Sequence, residues 1–434
     1  MVQLSDDCLD GPDGLMRLDK ALEIIESRLG PVVRSQMIPL DKACGRVLAT
    51  SLHAGLPVPG FTNSAVDGYV CDARDLGAER AVSLRLGGMI FPGAGHSAAI
   101  GPGQAARIVT GAPLPEGMGG AHPDTVFMEE DCRPYKDRHG DDWIELPPGL
   151  KAGSNVRLAG EDLARGDLFA RAGIFLNPWH LALAASQGLN RVPVYKRLKV
   201  TIISTGDELI RPSQPLGFGQ CYDTNYTQLA ALVRKAGCIV HDGGVICDDP
   251  AQLQAALQGP GDLIVVSAGM SGGMHDFMSK ALRAMGDWYV WRLAIKPGRP
   301  VGFGVIEDAS HRRRVVLGIP GNPAAAAVCL LVLGLPILRK LAGALAHRPR
   351  PVPAILNFTY RKKPGRREFV RVCIKAAAPS CDSMILLEKA GVSGAGILSS
   401  MALADGLAVL DEDITVAKAG TEVSFLSFAE FFAK

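Results

Sequence analysis

Between residues 198 and 338 short apolar runs alternate with amphipathic ones, and this rhythm narrows the possible folds more than any other feature. Residues 199–204, 238–246 and 262–267 are short, rich in β-branched side chains, and read as strands. Residues 225–236 and Pro250–Leu257 carry helical spacing and stop at Gly237 and Gly259, with Asp249 placed to cap the second. A third helix is expected from Phe277 to Gly286. Repeated βαβ units predict a parallel sheet with helices on both faces. Ligands bind such sheets beyond the carboxyl ends of the strands. The residues expected there are Ser204-Thr205-Gly206-Asp207-Glu208-Leu209, Cys247-Asp248-Asp249-Pro250, the loop from Gly269 to Asp276, and Gly318-Ile319-Pro320-Gly321-Asn322-Pro323. Two of these rims pass from strand through a glycine-rich turn to a helix N-terminus, which aims N–H groups and a positive dipole end at an anion. Between them, Arg292, Lys296 and Arg299 flank the Pro297-Gly298 turn. A phosphate-bearing ligand follows from this stretch alone. Carboxylates on the same rim suit Mg²⁺, which prefers oxygen ligands and bridges through substrate phosphate. Asp249 and Asp276 equally suit helix N-caps.

The totals exclude several classes. A length of 434 residues suits about three domains. A net charge of +2 provides no field for nucleic acid or an anionic membrane. The ten cysteines include no C-x-x-C pair, as expected of reduced thiols in the cytoplasm. Residues 1–15 are acidic and polar and lack a signal-peptide core. The longest apolar run, 324–338, is expected to be broken by Gly334 and Pro336 and falls short of a membrane span of about 20 residues.

The flanks differ in character. A helix is expected over 18–29, ending at Gly30, followed by a strand-turn-helix connector over 39–49. Residues 53–154 are punctuated by Gly and Pro, with short alternating runs such as 81–86 and 105–109, and read as a β-rich insertion. Helical patterning returns at Asn177-Pro178 and stops at Gly188. After Pro349 only short strands are expected. The expected architecture is therefore an α/β multidomain chain. Segments 15–52 and 155–194 form a discontinuous helical linker domain around the β-rich insertion 53–154. A doubly wound parallel-sheet domain over 195–348 precedes a β-barrel-like domain over 349–434.

Seven motifs occur in an order that resembles one family. They are Asn63-Ser64-Ala65-Val66-Asp67-Gly68-Tyr69, Thr110-Gly111-Ala112-Pro113-Leu114-Pro115, Asn155-Val156-Arg157 with Gly160-Glu161-Asp162-Leu163, Thr205-Gly206-Asp207-Glu208-Leu209, Asp248-Asp249-Pro250, Ile295-Lys296-Pro297-Gly298-Arg299-Pro300 and Gly318-Ile319-Pro320-Gly321-Asn322-Pro323. The chain resembles the molybdopterin molybdenumtransferases, the MoeA group that includes the E domain of gephyrin. The resemblance implies the last step of molybdenum cofactor assembly: adenylylated molybdopterin is bound, its phosphoanhydride is cleaved with Mg²⁺ present, and molybdate enters the dithiolene. It implies catalytic roles for Asp67, Asp162, Glu208, Asp248 and Asp276, the last three also as metal ligands. It implies substrate binding by Thr110, Thr205, Gly206, Ser271, Gly272, Arg292, Lys296, Pro320, Gly321, Asn322 and Arg366, and by Ser399 and Ser400 on a small-residue turn. An elongated homodimer is implied, with the Asp67 loop completing the other subunit's cleft. A partner adenylyltransferase and molybdoenzyme chaperones are implied as contacts. Three departures stand out: a longer loop over 118–123, Met274 where an acid is common, and Arg292 for a frequent lysine. Two alternatives use the same fold: a molybdopterin adenylyltransferase, which resembles 198–346 alone, and a non-catalytic scaffold, against which the retained acids Asp67, Asp248 and Asp276 speak.

Overall fold

The computed structural model describes residues 15–77, 79–93, 99–267, 277–309, 311–375 and 384–433. They fall into two compact units, one of residues 51–171 with 179–190, the other of 15–50, 172–178 and 191–433.

The smaller unit is built on a six-stranded sheet in the order Arg133–Lys136, Asp142–Leu146, Val82–Ile90, Gln104–Ile108, Gly68–Asp72, Pro123–Met128. Alternation along the strand Gly68–Asp72 buries it on both faces. Tyr69 and Cys71 join Leu84, Phe127 and Ile144 on one side, while Val70 joins Ile90, Ile108 and Val126 on the other. The expected β-rich insertion is thus a two-faced sheet. At its end Asp72 is buried, and its carboxylate accepts from the Arg74 side chain and from the His122 N–H at 2.6 Å.

In the larger unit, strand Ser35–Pro39 pairs antiparallel with Arg191–Tyr195. The connector after it does not contain the expected helix. A single 3₁₀ turn, Leu40–Lys42, is followed by Gly45 at φ +70°, whose N–H goes to the Leu176 carbonyl rather than to a helical partner. The main sheet runs in the order Ile239–Ile246, Lys199–Thr205, Leu263–Ser267, Arg313–Ile319, Pro300–Glu307, Gly286–Arg292. The first four strands are parallel, as the βαβ rhythm predicts, and the last two extend the sheet antiparallel. Helices cover both faces. Val200, Ile202 and Val265 pack with Leu229 and Val233 of helix Thr224–Lys235. Ile203, Ile264 and Val266 pack with Leu253 and Leu257 of helix Pro250–Leu257 and with Leu282 of helix Phe277–Arg283.

The apolar run beginning at Pro323 is one continuous helix, Pro323–Leu341, and neither Gly334 nor Pro336 breaks it. A π turn over Leu330–Gly334 widens the ladder just ahead of Pro336, where a proline ring would clash with a regular α-helical carbonyl. A Cβ on Gly334 would come within 2.6 Å of Leu330, so glycine suits this closely packed turn. By length and composition the helix could cross a membrane, yet 89% of that stretch is buried inside the protein, as in a core helix.

The C-terminal region closes into a five-stranded barrel: Arg367–Lys375, Ile385–Lys389, Val352–Leu356, Glu422–Ser427, Gly406–Leu410 and back to Arg367–Lys375. Its core includes Val370, Val372, Leu387, Leu410 and Phe425. Two features were not expected. Residues Ser399–Leu403 form a short helix rather than a turn. The two-residue strand Ile295–Lys296 joins the barrel by pairing parallel with Arg367 and Glu368, which ties the main sheet to the barrel.

Candidate active site

A cavity of about 930 Å³ opens at the carboxyl ends of the parallel strands. Of the site residues named from sequence, Thr205, Glu208, Pro320, Gly321 and Asn322 line it. Asn225, from helix Thr224–Lys235, ties this rim together. Its Nδ2 donates to Ser267 Oγ at 2.7 Å and to the Gly321 carbonyl at 2.6 Å, and its Oδ1 accepts from Gln228 Nε2 at 2.9 Å. Gly206 has φ +145°, a backbone conformation that favours glycine, and a Cβ there would approach the Glu208 carboxylate to 2.7 Å and displace it from the strand end. Asp223, buried beside the cavity, caps the same helix through the Tyr226 N–H and pairs with Arg211 at 3.3 Å.

The turn 318–323 does not offer its helix N-terminus to an anion. Pro323 has no N–H, and the N–H groups of Ala324 and Ala325 both donate to the Ala395 carbonyl, at 3.0 and 3.3 Å. The turn shapes the cavity wall instead. The other expected anion turn, with Ser271, Gly272, Met274 and Asp276, lies outside the described residues. Asp249 is an N-cap, accepting from the Ala251 N–H at 2.7 Å. Asp248 is exposed on the adjoining loop and is not part of the cavity wall; its N–H donates to Asp207 Oδ1 at 3.0 Å, which links two rim loops.

A second cavity of about 190 Å³ adjoins the first, with Gly298, Arg299 and Ala395 in both walls. Lys296, Arg366 and Arg371 add further cationic side chains. Lys296 is not a lone cation. Its Nζ lies 3.3 and 3.2 Å from the two oxygens of Glu368, a carboxylate only 4% exposed, and the Tyr360 hydroxyl donates to Glu368 Oε2 at 2.9 Å. Burial and the neighbouring Glu368 push the Tyr360 phenol up to about 12. Arg371 is buried, which draws its guanidinium below its ordinary value; Nε donates to Ser400 Oγ at 3.0 Å and Nη2 to the Gly394 carbonyl at 2.9 Å. Ser400 therefore touches this site through Arg371, while Ser399 is exposed. Arg292 is exposed opposite Pro300 and is in neither cavity wall. Sequence reasoning missed Asn225, Tyr360, Glu368 and Arg371. One signal was available: Glu368 and Arg371 are charges in the otherwise apolar run 368–374, and buried charges require partners.

In the smaller unit Asp67 and Thr110 meet. Asp67 Oδ1 accepts from the Thr110 N–H at 2.6 Å and its hydroxyl at 2.7 Å, and these bonds hold the carboxyl below its ordinary range. Arg107 and Glu129 pair nearby at 2.6 Å. Asp162 stands on a different turn, its N–H on the Val58 carbonyl at 3.0 Å and its side chain exposed. Among the described residues no three His, Cys, Asp or Glu side chains gather closely enough to hold a metal ion by themselves.

Three family models match in order. The MoeA N-terminal region (domain I and II) covers residues 16–188, a probable molybdopterin binding domain 201–340, and the MoeA C-terminal region (domain IV) 353–428. The molybdopterin molybdenumtransferase of Haemophilus influenzae is 32% identical over 418 residues, spanning 95% of this chain and 99% of that protein. The chain belongs to the MoeA family of molybdopterin molybdenumtransferases. Molybdopterin molybdenumtransferase 2 of Mycobacterium tuberculosis is 33% identical over 399 residues, 89% of this chain and 93% of that protein. The crystal structure of the molybdopterin biosynthesis MoeA protein from Pyrococcus horikoshii matches with a TM-score of 0.75 and 28% identity, covering 97% of this chain and all of that one. The expected family, multidomain fold and transferase class are therefore borne out.

Proposed function

We propose that this MoeA-family transferase binds adenylylated molybdopterin, cleaves its phosphoanhydride to release AMP, and passes molybdate to the dithiolene. One observation carries the reading: a large cavity with a carboxylate on its rim shares a wall with a small cationic one. The large cavity suits the nucleotide-bearing ligand, contacted by Thr205, Gly206, Pro320, Gly321 and Asn322, and Ser271 and Gly272 are proposed as further contacts. The small one suits a tetrahedral oxyanion held by Lys296 and Arg366, with Arg371 positioned by Ser400. Arg292 is assigned an outer role, its exposed cation attracting anionic ligands, and Ser399 is proposed as a further substrate contact.

Mg²⁺ suits the carboxylate oxygens of the rim: among the described residues no cluster of His or Cys is present, and this ion binds through one or two carboxylates and ligand phosphate. Glu208, Asp248 and Asp276 would hold it, and when bound it would neutralise charge on the anhydride. Asp67 with Thr110, and Asp162, would serve the cleft of the other subunit in a cytoplasmic homodimer, supplied by a partner adenylyltransferase and passing product to molybdoenzyme chaperones. On this reading the chain divides into 15–52 with 155–194, 53–154, 195–348 and 349–434.

The test mixes the protein with adenylylated molybdopterin, Mg²⁺ and molybdate and follows AMP. Release supports the transferase, ATP-dependent formation of the adenylylated species supports an adenylyltransferase, and neither outcome leaves a scaffold. Lys296→Ala should weaken molybdate binding about tenfold or more, the scale of one charge-assisted bond. Unchanged affinity by calorimetry would remove Lys296 from the site.

A further inference from the structure

A buried carboxylate is out of place in an anion-binding cavity. Glu368 is 4% exposed yet shares its cavity wall with Lys296, Arg366 and Arg371. Resting on the reading of that cavity as an oxyanion site, we propose that Lys296 and Tyr360 together occupy both oxygens of the Glu368 carboxylate and so set the cavity for a fully deprotonated tetrahedral oxyanion over a protonated one.

The argument is one of donors and acceptors. A carboxylate only accepts. Bare beside a bound oxyanion, it repels a ligand that has only acceptor oxygens and rewards one that brings an O–H. Molybdate and sulfate carry no proton at neutral pH, whereas inorganic phosphate always carries at least one. An uncovered Glu368 would therefore favour phosphate.

In this structure Glu368 is covered. Lys296 Nζ spans both oxygens at 3.3 and 3.2 Å, and Tyr360 donates to Oε2 at 2.9 Å. Tyr360 lies within hydrogen-bonding reach of Ser393, and its burial keeps the phenol protonated across the working pH range, so it remains a donor. The lysine ammonium has three N–H groups; two on Glu368 leave the third for a ligand oxygen. The guanidinium of Arg371 is fixed by Ser400 and Gly394, which keeps one side of the pocket a rigid donor surface.

Tyr360→Phe and Glu368→Gln keep side-chain volume while changing this arrangement. Calorimetric titration of the full chain at neutral pH with molybdate, sulfate and inorganic phosphate reads the preference directly. The wild type should bind molybdate and sulfate more tightly than phosphate. Tyr360→Phe should lower both the molybdate-to-phosphate and the sulfate-to-phosphate affinity ratios by about tenfold, the scale of one charge-assisted hydrogen bond. Sulfate matters because a parallel fall assigns the effect to the proton rather than to ligand size. Glu368→Gln should tighten molybdate and sulfate binding, since a negative charge is removed, and should cancel the effect of Tyr360→Phe in the double variant.

Unchanged ratios in Tyr360→Phe, with molybdate still bound, overturn this inference and leave the oxyanion reading standing. A wild type that prefers phosphate, or weaker molybdate binding in Glu368→Gln, also overturns it. If the wild type binds none of the three anions, both this inference and the reading beneath it fail. Should Tyr360→Phe not fold, the direction of the Glu368→Gln change decides alone.

Discussion

Asn225→Ala tests the rim of the large cavity most directly. Asn225 is buried and holds three partners: Ser267 Oγ at 2.7 Å, the Gly321 carbonyl at 2.6 Å and Gln228 Nε2 at 2.9 Å. Truncation affects them unequally. Gln228 Nε2 keeps its second bond, to the Pro323 carbonyl at 2.9 Å. The Gly321 carbonyl and the Ser267 hydroxyl each lose a donor inside the protein. Ser267 is buried, and leaving one buried polar group unpaired costs about 1–3 kcal/mol; Gly321 is exposed, so water can replace its lost donor, and the predicted loss is about 1–3 kcal/mol. Urea denaturation followed by fluorescence suits the measurement, because the buried Trp288 and Trp291 report on the same unit. Asn225→Asp should be at least as damaging, since a carboxylate cannot donate to the Gly321 carbonyl. Gln228→Ala should cost less than either. Because Ser267 and Gly321 line the cavity, Asn225→Ala should also weaken ligand binding. A loss below about 0.5 kcal/mol would refute the claim that Asn225 bolts the strand ends together.

Three further outcomes are expected. Gly298→Ala should destabilise the larger unit by about 1–3 kcal/mol and distort both cavities, because φ is +108° and the added Cβ would clash with Cys329 Sγ; Cys329→Ala in the same chain should recover only the steric part, as read by urea midpoints. Asp72 is held below the usual carboxylate range by the Arg74 side chain first and then by the His122 and Arg74 N–H groups. Its stabilisation is therefore full above the unfolded value of about 4 and is lost as pH falls through the folded value, so the midpoint difference between wild type and Asp72→Asn should shrink between about pH 4 and pH 2. Finally, the proposed homodimer predicts that inactive Asp67→Asn and Asp276→Asn proteins partly regain AMP release after subunit exchange; mixed dimers that form without activity would place the site within one chain.

Much was legible from residues alone because it depends on local periodicity and local capping. The alternating runs of 199–267 specify buried parallel strands, Asp249 caps the helix that follows it, and the strand-end motifs at 205–209 and 320–323 line a cavity where open sheets place ligands. The wall between the two cavities was not legible, since it is made by contacts between segments distant in sequence. Ala395 reaches the N–H groups of Ala324 and Ala325 and removes an anion site that the turn alone suggests. Glu368 reaches Lys296 because the two-residue strand Ile295–Lys296 pairs with the barrel, a register no local pattern encodes. Local spacing decides which segments become strands and helices, whereas the partner of each buried polar group is decided by which segments the closed barrel and the sheet bring together.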